Sequence, residues 1–200
     1  MTGNIIDISH WEDPIDFGKV ADAGIIAVIA KATQGATEVD GAYARFKANA
    51  APHAFLWGSY HFGTSDDVTT QVDHYIKTAS PAATELVCLD FEPNPVGPAM
   101  SLDQARDFVE LFEQRTGRYP VLYGGRWLKD SLAGKADDTL SKCPLWIAQY
   151  GPKVVLPPGW NSYVLWQYTE SERGIPGVNS TDRDQFDGSD LDLRKQWPFS

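Results

Sequence analysis

The chain has 200 residues, 42% apolar and 22% charged, with 27 acidic against 17 basic side chains and a net charge of −10. That balance favours one folded domain over residues 1–200 and excludes disordered and low-complexity classes. The negative charge repels phosphate backbones and anionic lipid, so nucleic acid is not an expected partner. The longest apolar stretch, residues 23–30 with Gly24 inside it, falls far short of the roughly 20 residues of a membrane span, so no membrane insertion is expected. The first twenty residues are acidic and carry no basic leader or long apolar segment, so no signal peptide is read there.

Short apolar, β-branched or aromatic runs recur along the chain at 5–8, 25–30, 54–62, 86–91, 120–123, 145–150, 163–168 and, more weakly, 183–186. Helical spacing separates the first five from one another, which is the pattern of βα units on a parallel sheet. Tyr43, Phe46 and Ala50 follow Asp40, and Val68, Val72, Tyr75 and Ile76 follow Ser65. The fourth connection is the clearest. Ser101 and Gln104 make an S-x-x-Q capping box, Leu102, Ala105, Phe108, Val109 and Phe112 follow on one face, and Gly117 ends it. A fifth short helix fits 126–132. Between runs six and seven, Pro152, Pro157, Pro158 and Gly159 exclude a helix, and Gly174, Pro176 and Gly177 do the same after run seven. The expected fold is therefore α/β, a trimmed TIM-like barrel of eight strands and about five helices, (β/α)5(β)3.

In such a barrel the open concave face lies at the carboxyl ends of the strands. The residues there are Asp7, Lys31 with Thr33, His61, Asp90 with Glu92, Tyr123, Gln149 with Tyr150, Gln167 with Tyr168, and acids near Asp182 and Asp184. Asp90 and Glu92 stand out, because residues two apart on a strand share a face about 6.6 Å apart along it. Two carboxyl groups at an apolar mouth cannot both ionise freely, so one is held protonated and can donate near neutral pH. That equipment suits glycosidic cleavage. Acids at the same spacing at Asp182/Asp184 and Asp190/Asp192 read more simply as solvated loops, Lys31 as an ion-pair partner and His61 as a core histidine. Four histidines (His10, His53, His61, His74) and two cysteines lack metal-ligand spacing, so no metal or other cofactor is expected. Cys88 and Cys143 read as buried thiols, with a disulfide as the alternative. Seven Trp, eight Tyr and nine Phe suit a core and also stacking surfaces for sugar rings.

Read together, these segments resemble the glycoside hydrolase family 25 lysozymes, the Chalaropsis-type N-acetylmuramidases that include phage endolysins. The resemblance begins with Asp7-Ile8-Ser9-His10-Trp11 and Lys31-Ala32-Thr33-Gln34-Gly35, continues through Asp40, Gly58-Ser59-Tyr60-His61-Phe62 and Leu89-Asp90-Phe91-Glu92, and ends with Leu145 to Tyr150, Trp166-Gln167-Tyr168-Thr169 and Asp182 to Gly188. It implies hydrolysis of the β-1,4 bond between N-acetylmuramic acid and N-acetylglucosamine, with peptidoglycan glycan strands as the partner. It also implies Glu92 as general acid, Asp90 as its assistant, and Asp7 with Asp182 completing an acidic catalytic set. Asp184 rivals Asp182 for the last place, at a position where the family often has Asn. Lys31, Tyr60, His61, Tyr123, Gln149, Tyr150, Gln167, Tyr168 and Asp184 are the expected substrate-binding residues. The chain departs from the family at Gln34, usually Glu, and at Glu12-Asp13, usually Gln-Gly. A chitinase-like glycosidase and a catalytically silent peptidoglycan-binding module are the alternatives. The expected state is a monomer acting on the bacterial wall, reached through a holin or another export route.

Overall fold

A computed structural model describes residues 2–199, the side chain of residue 2 excepted. Its strands are β1 (Thr2–Ile8), β2 (Ala27–Gln34), β3 (Glu38–Val39), β4 (Leu56–Phe62), β5 (Leu86–Asp90), β6 (Val121–Gly124), β7 (Leu145–Ala148), β8 (Leu165–Glu172) and β9 (Thr181–Phe186). Its helices are α1 (Phe17–Asp22), α2 (Tyr43–Ala50), α3 (Val68–Ala79), α4 (Leu102–Thr116), α5 (Arg126–Leu132) and α6 (Asp190–Gln196). All eight expected runs are strands, and β3 is a two-residue addition that folds back on the end of β2. Strands β1, β2 and β4 to β9 close into a barrel because β1 pairs with both β2 and β9.

The helical signals act as local physics requires. Ser101 and Gln104 form the capping box of α4, and Gly117 ends it in the left-handed conformation that a residue without Cβ adopts at no steric cost. Helix α3 starts later than Ser65 suggested, because Asp67 is the cap, its carboxylate accepting the Thr70 N–H at 2.8 Å. Side chains at alternate strand positions divide the core in two. Ile5, Ala27, Ile29, Leu86, Cys88, Val121, Trp146, Leu165 and Phe186 fill the barrel, whereas Ile6, Val28, Val87, Leu89, Leu122, Ile147 and Trp166 pack outward. Cys88 and Cys143 are both buried free thiols, on opposite sides of the barrel wall.

One feature lies outside the expectation and one differs from it. The last strand runs antiparallel to both neighbours, the short loop from β8 turning the chain straight back along the sheet. Asp190 and Asp192 are not loop acids. They sit in the first turn of α6, where Ser189 and Asp192 form a capping box. That helix plugs the amino end of the barrel with Leu193 and Trp197, beside Phe186. Burial of Leu193 alone contributes about 2 kcal/mol. Among the described residues, the end left open lies at the carboxyl ends of β1, β2 and β4 to β8.

Candidate active site

Strand alternation builds the site. On β1, β5, β6 and β8 an apolar inward residue is followed two positions later by a polar one, giving Asp7 above Ile5, Asp90 above Cys88, Tyr123 above Val121 and Gln167 above Leu165. On antiparallel β9 the order reverses, so its amino end reaches the mouth. Asp182 pairs with Asp7 there, and Asp184 pairs one step deeper with Ile5. Asp7, Tyr60, Asp90, Glu92, Tyr123, Trp146, Gln167 and Asp182 line one cavity of about 100 Å³.

Gln167 is its hub. Its Nε2 donates to Asp7 Oδ2 at 3.0 Å and Asp182 Oδ2 at 3.3 Å, while its Oε1 accepts the Tyr123 and Tyr150 hydroxyls, each at 3.0 Å. The amide thus turns its donors to the acids and its acceptor to the phenols. Asp182 is further held by the Ser171 N–H at 2.8 Å, with Ser171 itself in the left-handed region at φ 53°. Burial raises the carboxyl of Glu92, and Asp182 and Glu170 add to the rise. Asp90 is raised well above the usual carboxylate range by burial and then by Glu92, against the pull of Lys31. Its Oδ1 is buried with no hydrogen-bond partner among the described residues. Burial likewise raises Asp182. These carboxyls can hold protons at pH values where free ones have lost them.

Asp184 lies beneath this layer with no exposed surface, one oxygen accepting the Trp146 Nε1–H at 2.6 Å. Its other oxygen has no hydrogen-bond partner among the described residues, and Asp7 is the neighbouring carboxyl with which it can share a proton. Burial, with Asp182 adding to it, pushes Asp184 up to about 7 from an ordinary 3.8. A raised native pKa stabilises the fold fully below about pH 4, and that contribution is lost as pH rises through about 7. Asp184→Asn keeps an acceptor for Trp146 and offers an N–H toward Asp7. We expect it to raise Tm by about 3 to 10 °C at pH 8 and to change it little at pH 4. Thermal melts at the two pH values check this, and a lower Tm at pH 8 would contradict the shared proton.

The sequence model of Glycosyl hydrolases family 25 matches residues 6–178. The chain belongs to that family. Lysozyme M1 of Streptomyces globisporus is 30% identical over 199 residues, covering 92% of this chain and 67% of that protein. The autolytic lysozyme of Clostridium acetobutylicum is 32% identical over 188 residues, covering 90% of this chain and 55% of that protein. The crystal structure of the bacterial lysozyme from Streptomyces coelicolor superposes with a TM-score of 0.85 at 29% identity, covering 94% of each chain.

This family 25 member accommodates its departures locally. Gln34 Oε1 accepts the Lys31 ammonium at 2.5 Å, so an amide serves where the family usually places a charge. Glu12 Oε2 accepts the N–H and hydroxyl of Ser9 at 2.7 and 3.0 Å, closing the turn after β1. Asp13 receives both terminal nitrogens of Arg45 at 2.7 Å. Asp40 anchors the same turn through the backbone N–H of His10 at 3.0 Å and its ring Nδ1 at 2.7 Å.

Four of the expected substrate-binding residues stand elsewhere. His61 is fully buried and stacks on Phe108. Its Nε2–H donates to Gln71 Oε1 at 3.2 Å and its Nδ1 accepts the Thr33 hydroxyl at 2.8 Å, and burial pushes it down to about 3, so it is a neutral structural histidine. Tyr168 follows inward-facing Gln167 and so points outward, its ring near Gly3 and Trp166. Asp184 is sealed below the cavity. Lys31 flanks Asp90 and lies over the Phe62 ring at 5.1 Å without lining the central cavity. Gln149 and Tyr150 border the mouth beyond Glu92. Gln149 is committed to α5 through Lys129 Nζ and to its own loop through the Val155 N–H and the Lys153 carbonyl.

Trp11, Glu12, Glu170 and Ser171 line an arm beside Asp182 that the strand-end rule missed. Arg126 and Lys129 line another beside Glu92. The latter pair could have been found by extending the rule into the first helical turn after β6. Glu170 follows a bulge in β8 that breaks strict alternation, which the sequence does not announce.

Proposed function

We propose that this chain is a peptidoglycan hydrolase, an N-acetylmuramidase that cleaves the β-1,4 bond between N-acetylmuramic acid and N-acetylglucosamine. The observation that carries this reading is a single cavity at the mouth of a family 25 barrel, where Glu92 and Asp90, both with raised carboxyls, face Asp7 and Asp182. Glu92 gives its proton to the glycosidic oxygen as the bond to C1 of the muramic residue breaks. Asp90 Oδ1, which lacks a protein donor, accepts the N–H of the 2-acetamido group. The acetamido oxygen then attacks C1, forming a cyclic intermediate. Water opens that ring, its proton passing to the Glu92 carboxylate and its oxygen remaining on C1, which restores the acid. Asp7, Asp182 and Gln167 bind and orient the sugar, and Tyr60, Tyr123 and Trp146 pack against its faces.

The enzyme acts as a monomer on the bacterial wall, reaching it through a holin or another export route. Purified peptidoglycan and chitin oligomers, offered separately with reducing ends measured, test the substrate. We expect release from peptidoglycan and little from chitin. Release from chitin but not from walls would favour a chitinase-like glycosidase, and binding to walls without release would favour a silent module.

A further inference from the structure

The cleft is electrically lopsided. Past Asp182 it opens into an arm whose charged lining residues, among those described, are all acidic: Asp7, Glu12, Glu170 and Asp182. Past Glu92 it opens into an arm of about 440 Å³ that holds two cations, Arg126 and Lys129, against Asp130. Arg126 gives its Nε–H to Asp130 Oδ2 at 3.3 Å, which leaves both terminal amino groups unspent by that pair, and its side chain is 93% exposed. Lys129 is half-buried and spends one of its three N–H groups on Gln149 Oε1 at 2.6 Å. Glu92 stands at the threshold of this arm, and in its donating form it is neutral.

A muramyl glycan carries carboxylates, and the acidic centre and acidic arm repel them. The guanidinium fork and the ammonium of the other arm attract them, the former able to bind a carboxylate with two parallel hydrogen bonds. We propose that Arg126 and Lys129 form a carboxylate-binding subsite. It takes the anionic substituent of a muramic residue and so fixes the direction in which the glycan lies across the cleft. This rests on the peptidoglycan reading above. The carboxylate has two sources, the lactyl group of a muramic residue that has lost its peptide or the stem peptide itself.

The test uses soluble glycan strands with stem peptides and strands stripped of them by an amidase, each before and after carbodiimide coupling of the carboxylates to methylamine. We expect wild type to prefer native over neutralised strands by about tenfold in kcat/KM, mainly through KM, and the preference to shrink at high salt. In Arg126→Gln/Lys129→Gln the preference falls to within about twofold. A preference confined to stem-bearing strands assigns the stem peptide, and one that survives stripping assigns the lactyl carboxylate. Arg126→Gln alone, which disturbs only the pair with Asp130, lowers the preference about threefold and serves if the double variant does not fold. Equal turnover of native and neutralised strands by wild type, or a preference retained in the variants, would overturn the subsite. Wild type that releases no reducing ends from any strand would overturn the peptidoglycan reading instead.

Discussion

Glu92→Gln loses on the order of 10² to 10⁴ in the rate of reducing-end release from purified peptidoglycan, equivalent to roughly 3 to 5 kcal/mol of transition-state stabilisation. The amide matches the carboxyl in shape and cannot donate a labile proton, so chemistry is lost while folding is kept. A thermal melt close to that of wild type is the control. The pH profile carries the same claim. Burial raises the Glu92 carboxyl, and the negative charges of Asp182 and Glu170 raise it further. A general acid works only when protonated, so kcat/KM falls as pH rises through that raised value. Glu170→Gln removes one of the raising charges and moves this alkaline limb to lower pH. An unmoved limb would mean that another group sets it, and a fully active Glu92→Gln would remove Glu92 from the acid role.

Asp90→Asn is the second large effect, a loss of about 10² or more in rate. Asp90 is buried at the floor of the cavity with Oδ1 lacking a partner, its carboxyl raised by burial and then by Glu92, and Lys31 is the nearby cation that opposes the rise and favours the charged form. A carboxylate there holds the acetamido N–H and stabilises positive charge that develops as the amide oxygen attacks C1. Asparagine removes that charge and can turn an N–H where an acceptor is needed. The companion readout is the product anomer. Acetamido participation retains the β configuration, because two displacements occur at C1, whereas direct attack by water inverts it. An inverted product would replace the acetamido route with water activation, and an Asp90→Asn enzyme of undiminished rate would separate Asp90 from catalysis.

Much of the fold was legible because its signals are local. The continuous apolar run from Leu86 to Leu89 and the Ser101/Gln104 capping box depend on neighbours within a few residues, and both elements stand where the pattern placed them. The orientation of β9 was not legible, because the connections before β8 and before β9 both lack a helix, yet β8 runs parallel to β7 and β9 antiparallel to β8. That orientation decides whether Asp182 or Asp184 reaches the mouth. Helix α6 was missed because its seven residues bury few side chains, and Leu191 on its outer face is 61% exposed.

The site divided along the same line. Asp7, Asp90, Tyr123 and Gln167 follow from strand parity and meet in one cavity. His61 and Tyr168 lie beside inward-facing residues in the sequence, and parity turns both away from the cavity. Trp11 and Glu12 reach the mouth through a turn tied to Asp40, thirty residues from His10, a contact that no local pattern reveals.

The identity of the sugar at the new chain end distinguishes a muramidase from an enzyme that cuts the other bond of the strand. Peptidoglycan digested by the wild-type enzyme is reduced with borohydride, hydrolysed and examined by mass spectrometry. Muramitol is the expected reduced sugar, with a yield that tracks reducing-end release. Glucosaminitol in its place would show cleavage at the other glycosidic bond of the strand and contradict the muramidase assignment.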